Sequence, residues 1–163
     1  MPVFLIGYMC SGKTTLGKDL SNNLQWPFID LDNLIEQREG MTVAHIFKMK
    51  GENYFRLLEK KLLREYDFTS NMVIATGGGT PCFYNNIEYI NQIGHAIYLK
   101  ISLKEILSRV KSIKSRPLLV DNMLNLNDFI EQQIQEREIY YSQSQHKIES
   151  DNITIEDLLK ILQ

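Results

Sequence analysis

Gly7-Tyr8-Met9-Cys10-Ser11-Gly12-Lys13-Thr14 fits the spacing G-x-x-x-x-G-K-[ST] and stands between two segments of different period. Upstream, Val3-Phe4-Leu5-Ile6 is a short apolar run of strand type. Downstream, Lys13 to Leu24 carries Leu16, Leu20 and Leu24 on one helical face. Strand, glycine loop and helix in that order make a phosphate cradle: glycines let backbone N–H groups curl around oxygens, and the helix N-terminus adds partial positive charge. This places Cys10, Ser11, Gly12, Lys13, Thr14 and Thr15 at nucleotide phosphates, with Lys13 reaching the β- and γ-phosphates and Thr14 ligating Mg2+.

Outward from the loop, Phe28-Ile29-Asp30 reads as a second strand after Pro27. The stretch from about 32 to 66 reads as two or three helices broken near Gly40 and Gly51. Asn71 to Thr76 and His95 to Lys100 are apolar runs expected to be strands buried on two faces, and Lys147 to Glu149 is a candidate last strand. Helical segments are expected near Phe83–Ile93, Ser102–Val110, Leu126–Tyr141 and Ile155–Leu162. This alternation predicts an α/β fold with a parallel sheet and helices on both faces.

The chain has 163 residues, 44% of them hydrophobic and 23% charged, with 18 Lys+Arg against 20 Asp+Glu, the profile of one ordinary globular domain. A net charge of −2 lacks the field that drives binding to nucleic acid. The longest apolar run, Val3 to Cys10 broken by Gly7, is far below the roughly 18 residues of a spanning helix, so no membrane is expected and a cytoplasmic location is. Cys10 and Cys82 have no C-x-x-C spacing and His45, His95 and His146 are scattered, so a metal is expected to arrive with a substrate.

Asp30 and Asp32 close the second strand, and their i,i+2 spacing is expected to send both carboxylates to one side at the carboxyl edge of the sheet. One could hold magnesium water while the other takes a hydroxyl proton; helix capping is the competing role. Arg56 lies on a helix whose stripe is Phe55, Leu58, Leu62 and Tyr66, with Glu59 near enough to orient it. Likewise the stripe Leu126, Ile130, Ile134 continues at Arg137 and Tyr141. An arginine on a core-facing stripe needs an anionic partner, snorkelling to solvent being the alternative. Gly77-Gly78-Gly79 after a strand allows close backbone approach to a ligand or makes a tight exit from the sheet. Lys111, Lys114 and Arg116, ended by Pro117, read as a basic mobile lid at about 110–124 or as a solvated loop.

Taken together, G-x-x-x-x-G-K-T, Phe28-Ile-Asp-Leu-Asp32, Ile35-Glu-Gln-Arg-Glu-Gly40, Phe55-Arg56, Gly77–Gly79, Arg116-Pro-Leu-Leu and Arg137-x-x-x-Tyr141 occur in the order seen in shikimate kinases, and the resemblance covers nearly the whole chain. It implies a five-stranded parallel sheet similar to nucleoside monophosphate kinases, with one P-loop domain over 1–163 and substrate-binding helices at about 32–66. The implied activity is transfer of the ATP γ-phosphate to the 3-hydroxyl of shikimate, on the route to chorismate and the aromatic amino acids. It further implies Asp32, Arg56, Gly78, Gly79 and Arg137 on shikimate, Lys13 and Arg116 on phosphates, Thr14 and Asp30 around Mg2+, and Arg109 against adenine. Lys13, Asp32 and Arg116 are then the catalytic groups, shikimate and ATP the partners, and a monomer the expected state. Two departures stand out: Cys10 occupies a loop position that is usually glycine, and Ser150-Asp151-Asn152 lacks an arginine that some members place by the adenine. The rival readings are a related small-molecule kinase, such as one acting on gluconate, and a silent nucleotide-binding module. The set Arg56, Arg137 and Gly77–Gly79 argues against the former, and retention of Lys13, Asp32 and Arg116 against the latter.

Overall fold

Four consecutive apolar residues, all without solvent exposure, form β1 (Val3–Ile6), and only a strand covered on both faces buries such a run. The computed structural model describes residues 1–112 and 126–162. β1 is followed by α1 (Lys13–Leu24), β2 (Phe28–Asp30), α2 (Leu31–Glu39), α3 (Val43–Glu65), β3 (Val73–Ala75), a 3-10 turn (Thr80–Cys82), α4 (Asn86–Ile93), β4 (His95–Lys100), α5 (Leu103–Ser112), α6 (Leu126–Tyr141), β5 (His146–Glu149) and α7 (Ile155–Leu162).

The sheet order is β2-β3-β1-β4-β5, and every pairing is parallel. The carboxyl ends of all strands therefore meet along one edge. β1 is central, with β3 on one side and β4 on the other, and the glycine loop leaves its carboxyl end at the point where open α/β sheets bind ligands. No helix among the described residues is long and apolar enough to cross a membrane.

Several boundaries differ from the sequence reading. The helix expected from Phe83 starts at Asn86, because Phe83 is extended and Tyr84 and Asn85 take left-handed backbone. The stripe of α3 ends differently too: Leu63 has no exposure while Tyr66 is 37% exposed, since the helix stops at Glu65 and Tyr66 is already extended. Gly51 (φ 80, ψ 168) breaks α3 internally, as its position suggested. Of the basic lid reading, Lys114, Arg116 and Pro117 lie outside the described residues.

Candidate active site

The loop after β1 is shaped by three residues with positive φ, Gly7 (153), Cys10 (63) and Gly12 (96). A Cβ on Gly7 would come within 2.7 Å of the Ser11 hydroxyl and 2.8 Å of the Leu99 carbonyl at the end of β4, so only glycine fits where the chain turns off the strand. Cys10 explains the first departure from the family pattern: its left-handed backbone is the conformation that favours glycine, and a side chain there costs about 1–2 kcal/mol. Ser11 is buried, its hydroxyl turned inward without a hydrogen-bond partner, so it contributes backbone rather than side chain to the loop surface.

A cleft of about 360 Å³ opens above this loop, with Cys10, Gly12, Lys13, Thr14 and Thr15 in its floor and Asp30, Asp32, Thr76, Gly78 and Arg109 around it. Lys13 folds back across its own loop, donating from Nζ to the carbonyls of Gly7 and Tyr8, both at 2.8 Å. Arg109 donates from Nε to Glu105 at 2.7 Å, from Nη1 to the Cys10 carbonyl at 3.1 Å and from Nη2 to the Asp151 carbonyl at 3.0 Å. It thus ties α5 to the glycine loop and to the segment after β5. The second departure has a structural use as well, since the Asp151 carboxylate accepts from the Ser102 N–H and hydroxyl and fixes the start of α5.

Asp30 and Asp32 share the cleft, but not by strand periodicity. Asp30 ends β2 and caps α2, its Oδ1 accepting from the N–H groups of Asp32 and Asn33, while Asp32 already belongs to the first helical turn. Capping and site roles coexist in Asp30, because its other oxygen, Oδ2, accepts from the Thr14 hydroxyl at 3.0 Å. Asp32 Oδ1 is buried with no hydrogen-bond partner. Burial first, then the nearby carboxylates of Glu59 and Asp30, push its carboxyl up to about 6, against the pull of Lys13 and Arg56.

These oxygens fit a hard cation. Among the described residues no group of three or more His, Cys, Asp or Glu side chains could hold a metal by itself. Thr14 and Asp30 place two oxygen donors side by side, a donor type that a hard divalent cation prefers.

Gly78 lines the cleft and carries the architecture past it. A Cβ on Gly78 would sit 3.4 Å from Nη1 of Arg137 on α6. A Cβ on Gly79 would land on the Arg56 guanidinium, and one on Gly77 would stand 2.7 Å from Asp32 Oδ1 and 2.9 Å from Glu59 Oε1. The triple glycine is therefore the common neighbour of Asp32, Arg56 and Arg137.

Arg56 is 6% exposed and held on two sides, Nη1 by Glu59 at 2.7 Å and Nε and Nη2 by Glu52 at 3.1 and 2.9 Å. Glu59 is fully covered and also accepts from the Thr80 hydroxyl. The rings of Phe83, Phe55 and Phe47 stand 4.5, 5.4 and 5.7 Å from the guanidinium. Arg137 is partly buried above the Tyr8 ring, and Tyr141, one turn further on, donates to the Gly78 carbonyl at 2.5 Å.

The sequence reading missed Glu52, Tyr8 and Thr80. Glu52 had a usable signal, the i,i+4 spacing to Arg56. Tyr8 and Thr80 had none, because one fills a free position of the motif and the other meets Glu59 only through the fold. Arg116 lies outside the described residues.

With that geometry in place, the comparisons are specific. Residues 9–163 match the family model described as shikimate kinase. A shikimate kinase of Phocaeicola vulgatus is 42% identical over 153 residues, 93% of this chain and 87% of the relative. The crystal structure of a Bacteroides thetaiotaomicron shikimate kinase superposes with a TM-score of 0.93 at 38% identity, covering 99% of this chain and 98% of the other. A shikimate kinase from Acinetobacter baumannii in complex with shikimate gives 0.85 at 33% identity, over 99% and 90% of the two chains.

Proposed function

This chain belongs to the shikimate kinase family, and from that premise we propose that it transfers the γ-phosphoryl group of ATP to the 3-hydroxyl of shikimate, with Lys13 and Asp32 as catalytic groups on either side of the transferring atom. The observation that carries the assignment is the glycine loop Gly77–Gly79, which has a carboxylate and two arginines as immediate neighbours beside the phosphate loop. Shikimate presents the complementary set, one carboxylate for paired guanidinium groups and hydroxyls for an aspartate.

Arg56, fixed by Glu52 and Glu59, and Arg137 take the shikimate carboxylate, while the backbone at Gly78 and Gly79 lets the ring approach. Asp32, whose Oδ1 faces no protein donor, accepts the 3-hydroxyl proton as that oxygen bonds to phosphorus and ADP departs. Lys13 leaves the Gly7 and Tyr8 carbonyls for the β- and γ-phosphates, and Arg116 joins them. Arg109 borders the nucleotide base. Thr14 and Asp30 hold the divalent cation, Mg2+, which neutralises phosphate charge when bound. Phosphoryl transfer asks little covalent work of the protein, so positioning and charge carry the rate. A cytoplasmic monomer acting on small molecules completes the proposal, and the net charge of −2 supplies no field that would draw it to nucleic acid.

A coupled ADP-release assay with shikimate, gluconate and nucleoside monophosphates tests this reading. Turnover is expected with shikimate and Mg2+, and near-complete loss in Lys13→Ala. Phosphorylation of a nucleoside monophosphate or gluconate in place of shikimate overturns it.

A further inference from the structure

Tyr8 occupies the first free position of the phosphate loop, where the motif spacing prescribes nothing. Although the loop around it borders the cleft, Tyr8 is only 3% exposed, and its contacts leave in two directions. Toward the nucleotide side, its carbonyl accepts from Lys13 Nζ at 2.8 Å and from the Ser11 N–H at 3.2 Å. Toward α6, its hydroxyl donates to Gln133 Oε1 at 2.7 Å, and its ring centroid lies 5.3 Å from the Arg137 guanidinium carbon. Gln133 and Arg137 are one helical turn apart, so a single loop side chain grips one face of α6 at two points.

We propose that Tyr8 is a positioning residue for the acceptor substrate: through its ring and hydroxyl it holds Arg137 at a fixed place relative to the phosphate loop, so that the substrate carboxylate docks in register with the transferring phosphoryl group. The proposal rests on the function given above and deepens it. Arginine is long and loses rotamer freedom when it binds an anion, and a guanidinium already held over an aromatic face loses less. The hydroxyl anchor at Gln133 keeps the helix turn that carries Arg137 at the height of the loop. Arg137 also borders Gly78, whose backbone lines the cleft.

Equilibrium affinities for shikimate and MgADP, with melting temperatures, test this on the full chain in Tyr8→Phe, Tyr8→Leu, Gln133→Ala, Arg137→Ala and the Tyr8→Leu/Arg137→Ala pair. Tyr8→Phe keeps the ring and is expected to weaken shikimate binding about 2- to 3-fold, and Tyr8→Leu about 5- to 20-fold, with MgADP affinity held within about 2-fold. Gln133→Ala should reproduce the Tyr8→Phe loss. In the Arg137→Ala background, Tyr8→Leu should have no further effect on shikimate, because its route runs through Arg137. A loss undiminished without Arg137, parallel loss of both ligands, or unchanged shikimate affinity in Tyr8→Leu overturns the proposal. Should Tyr8→Leu fail to fold, unchanged shikimate affinity in Tyr8→Phe and Gln133→Ala overturns it equally. Wild-type protein that does not phosphorylate shikimate overturns the functional reading, and this inference with it.

Discussion

Asp32 stands among Glu59, Asp30, Lys13 and Arg56, with burial the largest influence on its proton. A carboxyl held at about 6 is half protonated where ordinary aspartates are fully ionised. In the free enzyme kcat/KM for shikimate should therefore fall as pH drops through about 6, approaching tenfold per unit below it. Stability has the opposite sign. The folded-state value lies above the ordinary 3.8, so the folded form binds the proton more tightly; the stabilisation is fully present below about 3.8 and lost as pH rises through about 6. Asp32→Asn should remove both dependences, together with most of the activity. An acid limb unchanged in Asp32→Asn, read from residual turnover and urea unfolding at several pH values, assigns the proton elsewhere. At this scale the sequence was legible where short spacings carry chemistry: Arg56 and Glu59 at i,i+3, and Thr14 in the P-loop motif. Tyr8 was illegible, because its partners come from α6, 125 residues away in sequence at Gln133.

The Gly77–Gly79 segment and α3 act as a pair of elements in the proposed acceptor site, to which each brings a different part. α3 brings Arg56 in with both of its acidic partners, and Gly79 packs against the guanidinium with no side chain between them. Gly79→Ala would put a methyl group onto that guanidinium and drive Arg56 out of its bridges to Glu52 and Glu59. We expect KM for shikimate to rise at least about 10-fold, the loss of a charge-assisted bond, while KM for ATP changes little. Gly78→Ala separates the two effects in steady-state kinetics: its methyl meets Arg137 Nη1 and the Met9 nitrogen at 3.4 and 3.5 Å and not Arg56, so any rise in its KM for shikimate comes with the Arg56 bridges in place. Equal KM changes for both substrates in Gly79→Ala would deny the division of labour. Helix existence and the break at Gly51 were legible from period and composition. The end of the α3 stripe at Tyr66 was not, because helical phase says nothing about where the chain turns extended.

On the scale of the whole molecule, the parallel sheet gathers the ends of five strands along one edge, with the glycine loop at the central strand. That α/β layout was readable from alternating patterns, whereas the strand order follows from packing that no local window contains. With both proposed substrate sites on this edge, each ligand should stabilise the entire fold by mass action, about 2.7 kcal/mol at a concentration of 100 Kd. For a chain of this size that corresponds to roughly 5–10 °C in melting temperature, at about 2–4 °C per kcal/mol. The residues proposed for the two ligands differ, so the stabilisation should divide between variants. Lys13→Ala should keep the shikimate shift and lose most of the MgADP shift, since Lys13 lies in the phosphate loop while Arg56 is bridged by Glu52 and Glu59 on α3. Arg56→Ala should do the converse, although its apo melting temperature will itself fall, because removing the guanidinium strands the buried Glu59 carboxylate. The quantity to compare is each variant's ligand-induced shift above its own apo value, measured by differential scanning calorimetry. If Lys13→Ala loses both shifts, the loop lysine supports the architecture of the acceptor site and the assignment of separate roles fails. If Arg56→Ala retains a full shikimate shift, the carboxylate docks elsewhere, and Arg137 with its Tyr8 support becomes its principal anchor.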